Sequence, residues 1–204
     1  MDSSTWSKLT IRRGAAALLL LTGLIYAHAL GGGFIWDDEY LFLDHPRLLH
    51  RGVRAAFTSE ASGASAGRYR YYRPLQILSY SWLARLTRLQ PFGMHLASAG
   101  VHALAAILVF LLVGQFADLR TAWLAGALFL AHPLHVEAVA WMSAFSEVLA
   151  GALMLLSLHA LVRARRGPAW LLAVSYVAAA AALLSKETAL ALPLLAAIFA
   201  GKRA

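Results

Sequence analysis

Residues 14–34 read GAAALLLLTGLIYAHALGGGF, and this stretch decides the kind of fold that the chain adopts. A helix that crosses a bilayer needs about 20 apolar residues. Residues 14–34 supply that length without an Asp, Glu, Lys or Arg, and they follow Lys8, Arg12 and Arg13. We therefore predict an uncleaved transmembrane anchor. A cleaved signal peptide is the alternative, because Ala27-His28-Ala29 resembles a small-x-small cleavage site.

Further apolar runs follow the first one and are separated by short polar turns. The chain of 204 residues is 60% hydrophobic, whereas a soluble domain is usually about 45–50% apolar. We predict an all-α membrane protein with about six transmembrane helices, forming a single membrane domain over residues 1–204. The second to sixth spans are predicted at residues 95–116, 121–141, 148–162, 169–184 and 188–200.

The net charge of +8 is distributed between the apolar runs rather than along one stripe, so it predicts membrane topology and no nucleic-acid partner. A cytoplasmic N-terminus brings Arg120, the Arg163–Arg166 cluster, Lys202 and Arg203 to the cytoplasmic side. Cysteine is absent, which excludes disulfides and Cys-based zinc sites. The richness in Ala, Leu and Arg is typical of a GC-rich bacterium, so a bacterial inner (plasma) membrane is the expected location.

Residues 35–93 then form an extracytoplasmic loop, the only long hydrophilic stretch of the chain. The Gly/Ser-rich piece Ser59–Gly67 predicts a flexible tip. Apolar residues at positions 75, 78, 82, 83, 86 and 89 have helical spacing and predict an amphipathic helix at the membrane surface.

The third span is too short unless it includes polar residues. Residues 121–130 would extend only about 15 Å as a helix, so the helix must continue to about Trp141, with a kink at Pro133. His132, His135 and Glu137 then lie within the membrane, where ionisable residues suggest a function. A structural cluster is the alternative, and a divalent metal site at these three residues is a weaker one.

The loop begins with the acidic motif Trp36-Asp37-Asp38-Glu39. Three adjacent carboxylates repel one another, and a carboxylate perturbed in this way at an interface suits general-base work. A solvated acidic cluster is the other interpretation. Arg73 belongs to a basic and aromatic patch at residues 69–74, which suits either binding of phosphate oxygens or anchoring at the membrane interface. Lys186 and Glu187 either pair with each other or contribute to the same outer cavity.

Four ordered segments resemble one family. They are Phe34-Ile35-Trp36-Asp37-Asp38, Tyr72-Arg73-Pro74-Leu75 with Pro91-Phe92-Gly93-Met94-His95, Ala131-His132-Pro133-Leu134-His135-Val136-Glu137-Ala138-Val139, and Leu184-Ser185-Lys186-Glu187. Together they resemble the N-terminal membrane region of GT-C-fold glycosyltransferases, in particular the TMTC-type protein O-mannosyltransferases and their bacterial relatives. The resemblance covers nearly the whole chain.

The resemblance implies a transfer of a mannose-like hexose from a polyprenyl-phosphate donor to a protein or glycan acceptor on the extracytoplasmic side. It implies Asp37 and Asp38 as catalytic residues, with Asp37 as the base, and no cofactor. Family members have more spans than this chain, so a truncated, non-catalytic protein that binds polyprenyl lipid is the alternative. A transporter with a proton relay is a third class. The residues implied in binding the donor or substrate are Arg73, His132, His135, Glu137, Lys186 and Glu187.

Overall fold

The first helix begins one residue after Ser7, whose hydroxyl accepts a hydrogen bond from the Thr10 amide and so caps the helix. The computed structural model describes residues 6–44, 52–58 and 71–201, so the predicted tip at Ser59–Gly67 lies outside the described residues. The predicted all-α membrane fold is confirmed. The α-helices of the described residues are α1 (Lys8–Tyr26), α2 (Val53–Thr58), α3 (Pro74–Thr87), α4 (Pro91–Val113), α5 (Leu119–Ala131), α6 (Leu134–Ala140), α7 (Phe145–Ala164), α8 (Trp170–Ser185) and α9 (Leu192–Gly201).

Three helices within the described residues are long and apolar enough to cross a membrane: Lys8–Tyr26, Pro91–Val113 and Met142–Ala164. The first begins six residues before the predicted span and ends at Tyr26. Helices α8 and α9 occupy the predicted fifth and sixth spans, but α8 has 16 residues and α9 has 10. Each is shorter than the ~20 residues that a perpendicular span needs, so a total of six spans stays a prediction.

The predicted third span is a bent pair of helices. Helices α5 and α6 meet at an angle of 63° and together count as a fourth candidate span. The backbone of His132 is extended, with φ −68° and ψ 127°, because a proline disfavours the helical conformation in the residue before it. The expected kink at Pro133 is therefore a complete interruption of the helix.

Helix α4 lies at the centre of the bundle and packs against α1, α5 and α7. Small side chains let these helices approach closely. A Cβ atom on Gly126 of α5 would lie 2.9 Å from the carbonyl oxygen of Ala106 on α4 and 3.2 Å from Leu18 of α1. At the far end of α4, the rings of Trp6 and Phe110 stack with their centroids 5.6 Å apart.

Several arginines lie together at one end of this bundle. Leu112 near the end of α4 packs in one cluster with Val162 near the end of α7, and the first turns of α1 and α5 line one groove. These contacts bring Arg13, Arg120 and the cluster from Arg163 onward to the same end. The acidic motif lies at the other end, near the start of α4.

The predicted interfacial helix is present as α3, but its apolar residues do not all point to the same side. Tyr80, Leu83 and Ala84 are buried against the bundle, whereas Trp82 and Leu86 are exposed. Positions 82 and 86 are one turn apart, so they share a face that points away from the protein. A membrane-surface position for α3 accounts for two exposed apolar residues side by side.

Candidate active site at the acidic end

The backbone turns sharply at Trp36, just before the two aspartates. Trp36 has a φ of 51°, a left-handed conformation that costs energy for a residue other than glycine. The amides of Asp38 and Glu39 donate hydrogen bonds back to Ile35 and Trp36. The turn separates the aspartates: Asp37 is exposed to solvent, while Asp38 is 0% exposed.

The buried Asp38 carboxylate is held by the segment that precedes α7. It accepts hydrogen bonds from the Met142 amide at 3.3 Å, the Ser143 amide at 2.6 Å and the Ser143 hydroxyl at 2.6 Å. Residues Met142–Ala144 form a 3-10 turn that leads directly into α7. A carboxylate at the start of a helix satisfies its free amides and suits the helix dipole. Asp38 therefore joins the first loop to the N-terminus of α7.

Tyr80 of α3 binds to the same segment. Its hydroxyl donates a hydrogen bond of 2.5 Å to the carbonyl of Ser143 and accepts one from the Gln76 amide group at 3.0 Å. Burial raises the pKa of the Tyr80 phenol to about 12, so this group stays neutral. Asp38 and Arg73 both lie close enough to act electrostatically on Tyr80, which places the buried aspartate and the arginine around one side chain.

Two ion pairs surround this centre. Arg73 donates a bidentate pair of hydrogen bonds to Glu187, with Nε 2.7 Å from Oε2, and Lys186 pairs with Glu147. Lys186 and Glu187 therefore pair with Glu147 and Arg73, respectively, rather than with each other. Arg73 is 14% exposed and Lys186 17%, whereas the paired carboxylates of Glu187 and Glu147 are 50% and 47% exposed. The hydrogen bond from Arg73 lowers the pKa of Glu187.

Asp37 is not part of these pairs. It is exposed, and within the described part of the chain it has no hydrogen-bonding or ionic partner. Asp37 is covalently adjacent to Asp38, which fixes its backbone against Ser143. The acidic end thus offers a solvent-exposed carboxylate without a hydrogen-bonding partner in the described residues, which is suited to accepting a proton.

The predicted histidines form a neighbouring aromatic cluster. The ring of His135 lies 4.5 Å from Phe129, 5.1 Å from His102 and 5.9 Å from His132, measured between centroids. The exposed His132 accepts a hydrogen bond from the Leu134 amide through Nδ1. Glu137 is exposed and contacts neither histidine in a hydrogen bond. No group of three or more potential ligands in the described residues has metal-binding geometry.

A cavity connects the two clusters. Its volume is about 330 Å³, and its lining includes His102, His135 and the Glu147 that pairs with Lys186. The rest of the lining is mainly apolar, for example Met154 and Leu158 of α7. The cavity is therefore polar near Glu147 and the two histidines and apolar along the rest of α7.

Two buried polar side chains near the acidic loop lack partners within the described residues. The atoms without a partner are the two ring nitrogens of His95 and the indole nitrogen of Trp141. His95 lies close to Gly32, and the Trp141 ring contacts the Trp36 ring edge-on with centroids 6.1 Å apart. Buried polar atoms are normally satisfied, so these nitrogens are candidates for contacts with water or substrate.

Sequence reasoning missed three residues that organise this end: Tyr80, Ser143 and Glu147. Ser143 and Glu147 are polar residues on either side of the start of α7, in an otherwise apolar region. That position at a helix start was the available signal. Tyr80 gave no comparable signal, because it lies outside the apolar positions that predicted α3 and its partner Ser143 is 63 residues away in the sequence.

Comparisons with known proteins agree with the family resemblance. The chain is 32% identical over 184 residues to protein O-mannosyl-transferase Tmtc1 of Drosophila melanogaster, covering 87% of this chain and 21% of the relative. It is 32% identical over 198 residues to Tmtc2 of the same fly, covering 88% and 20%. It is 32% identical over 155 residues to human TMTC1, covering 71% and 17%.

The chain therefore spans about a fifth of the length of these curated relatives. No family model and no solved structure matches it. The matches nevertheless extend over most of this chain, through the acidic motif and the polar bend. The resemblance carried by the four sequence segments is confirmed: this chain is related over most of its length to the TMTC-type protein O-mannosyl-transferases.

Proposed function

We propose that this chain is a membrane glycosyltransferase domain that transfers a mannose-like hexose from a polyprenyl-phosphate donor to a hydroxyl of a protein or glycan acceptor. The observation that carries the proposal is the different environment of the two adjacent aspartates. Asp38 is buried and hydrogen-bonded to Ser143, whereas Asp37 is exposed and has no hydrogen-bonding partner in the described residues. The names of the relatives support mannosyl transfer to protein.

The reaction follows from these groups. Asp37 removes the proton from the acceptor hydroxyl, and the oxygen attacks the anomeric carbon of the donor sugar. The bond between that carbon and the phosphate oxygen breaks, and its electron pair leaves with the lipid phosphate. The new glycosidic bond forms on the face opposite the leaving group, so the configuration inverts. Asp38 positions Asp37 through the backbone and does not touch the reacting atoms.

Arg73 and Lys186 stabilise the negative charge on the phosphate. Each cation is largely buried, while its carboxylate partner is about half exposed. Donor phosphate can therefore compete with Glu187 and Glu147 for the cations, and the Arg73 guanidinium suits bidentate binding. His135 lines the adjoining cavity, and we propose that it supports the substrate together with the exposed His132 and Glu137 beside it. No metal or cofactor takes part in the proposed reaction.

We propose that the site lies on the extracytoplasmic side of a bacterial inner membrane and that the N-terminus lies in the cytoplasm. Arg13, Arg120 and the cluster from Arg163 onward lie at the end opposite the acidic motif, and an excess of Lys and Arg in short loops favours the cytoplasmic side. The exposed Trp82 and Leu86 of α3 then lie at the outer surface of the bilayer.

A second candidate is binding of polyprenyl lipid without transfer. The mainly apolar cavity beside Glu147 favours it, because lipid binding there needs no contribution from Asp37.

Membranes containing the chain, incubated with labelled polyprenyl-phosphate mannose and an acceptor, distinguish the two candidates. We expect Asp37→Asn to lower transfer at least about 100-fold, a typical contribution of a general base, while leaving binding of the labelled donor intact. Glu39→Gln is the matched control, since Glu39 is also an exposed member of the acidic motif. Equal transfer by the wild type and Asp37→Asn would reject Asp37 as the base, whereas binding of the labelled donor with no transfer by the wild type would reject the enzyme and leave the lipid-binding protein.

A further inference from the structure

A groove lies between α1 and α5 at the basic end of the bundle. Its volume is about 590 Å³, and it is formed by the first turns of the two helices. The candidate active site lies beyond the other end of α1, whose 19 residues extend about 28 Å at ~1.5 Å per helical residue. The residues that define the groove are Thr10, Arg13, Ala17, Arg120, Trp123 and Leu124.

The groove concentrates positive charge. Arg13 and Arg120 are both exposed, and neither forms an ion pair with a carboxylate of the described residues. Asp118 is the acidic neighbour of Arg120, but its carboxylate caps α5 by accepting hydrogen bonds from the Thr121 amide at 3.0 Å and hydroxyl at 3.2 Å. Those hydrogen bonds lower the pKa of Asp118. Two guanidinium groups thus remain free to bind an anion.

An exposed apolar surface continues from the groove toward the middle of the bundle. On α1, Ala17 is followed one and two turns later by Leu20 and Leu24, and on α5, Leu124 is followed by Leu128. All four leucines are exposed. Residues three or four apart share a helix face, so each helix contributes an apolar strip that begins beside an arginine.

We propose that this groove binds an anionic phospholipid. The phosphate lies between Arg13 and Arg120, whose planar guanidinium groups donate hydrogen bonds to its oxygens. The acyl chains lie along the leucines of α1 and α5. Trp123 lies at the level between headgroup and chains, where Trp is enriched in membrane proteins. A zwitterionic lipid binds more weakly, because its own ammonium group meets the two arginines. The proposal does not depend on the enzymatic function.

Titration of the purified full chain in mild detergent tests the groove, with native mass spectrometry as the measure of bound lipid. The probes are phosphatidylglycerol, phosphatidylcholine with the same acyl chains, and inorganic phosphate. Phosphatidylglycerol should bind at least about tenfold more tightly than phosphatidylcholine, because both lipids carry the phosphate but the two arginines repel the ammonium group of choline. Inorganic phosphate should not displace it at millimolar concentration, because the acyl chains contribute to binding.

Variants that each remove one positive charge test whether the lipid binds in the groove itself. Arg13→Gln and Arg120→Gln should each weaken phosphatidylglycerol binding about tenfold. Arg12→Gln is the matched control, because Arg12 is exposed on the same turn of α1 but does not line the groove; it should change binding less than about threefold. An equal effect of all three variants, equal binding of both lipids, or displacement by inorganic phosphate would overturn the proposal. Gel-filtration profiles matching the wild type establish that the variants are folded.

Discussion

The carboxylate of Asp38 lies 2.6 Å from both the backbone nitrogen and the hydroxyl oxygen of Ser143, 105 residues later in the chain. This contact joins the acidic loop to the start of α7. A buried polar side chain needs hydrogen-bonding partners, and Ser143 and the Met142 amide supply them to Asp38. The same contact leaves its neighbour Asp37 outside.

The first prediction separates the two aspartates by stability. Asp38→Asn replaces a carboxylate that accepts three hydrogen bonds by an amide that accepts fewer and brings an unpaired NH₂ group into a buried site. We expect a loss of about 2–3 kcal/mol in the free energy of unfolding, measured by thermal or denaturant unfolding in detergent. Asp37→Asn is the control and should stay within about 0.5 kcal/mol of the wild type. Equal losses for both variants would contradict the assignment of Asp38 as the structural aspartate.

The acidic motif could be recognised from the sequence, but the roles of its members could not. Which aspartate is buried depends on the left-handed backbone of Trp36 and on the position of Ser143. Neither is visible in local periodicity, because the first is a single torsion angle and the second is a tertiary contact. The interruption at His132 was closer to predictable, since Pro133 restricts the residue before it, but its angle of 63° depends on the packing of α6.

The second prediction concerns the pH dependence of the Arg73–Glu187 pair. The hydrogen bond from Arg73 lowers the folded-state pKa of Glu187 below its ordinary value of 4.5. A lowered carboxyl pKa contributes stability above the unfolded value, and that contribution is lost as pH falls through the folded value. Because Glu187 is half exposed, the contribution should be below about 1 kcal/mol. The melting temperature of Glu187→Gln should therefore fall less steeply than that of the wild type as pH falls below 4.5. Parallel curves would show that the pair contributes nothing to stability.

The third prediction follows from the competition between donor phosphate and carboxylates. Glu147 holds Lys186 in the structure, so Glu147→Gln should free the ammonium group and tighten binding of polyprenyl phosphate several-fold. Lys186→Gln removes the cation and should weaken binding about tenfold. Both affinities can be measured with a labelled lipid phosphate in detergent micelles. If Glu147→Gln weakens binding as much as Lys186→Gln does, the ion pair acts as a unit and the lysine is not released to phosphate.

The fourth prediction tests the close packing of α1, α4 and α5 at Gly126. A methyl group on Gly126 would meet the Ala106 carbonyl oxygen at 2.9 Å and the Leu18 side chain at 3.2 Å. The carbonyl belongs to a helix backbone and cannot move alone, so Gly126→Ala should cost about 1–3 kcal/mol through overpacking. Gly100→Ala is the matched control: Gly100 is also helical, but a Cβ there meets nothing within 4 Å. That change should stabilise the helix by about 0.5–1 kcal/mol, because alanine loses less backbone entropy on folding. Opposite shifts in melting temperature are therefore expected, and a stabilising Gly126→Ala would mean that α4 and α5 are farther apart than the structure has them.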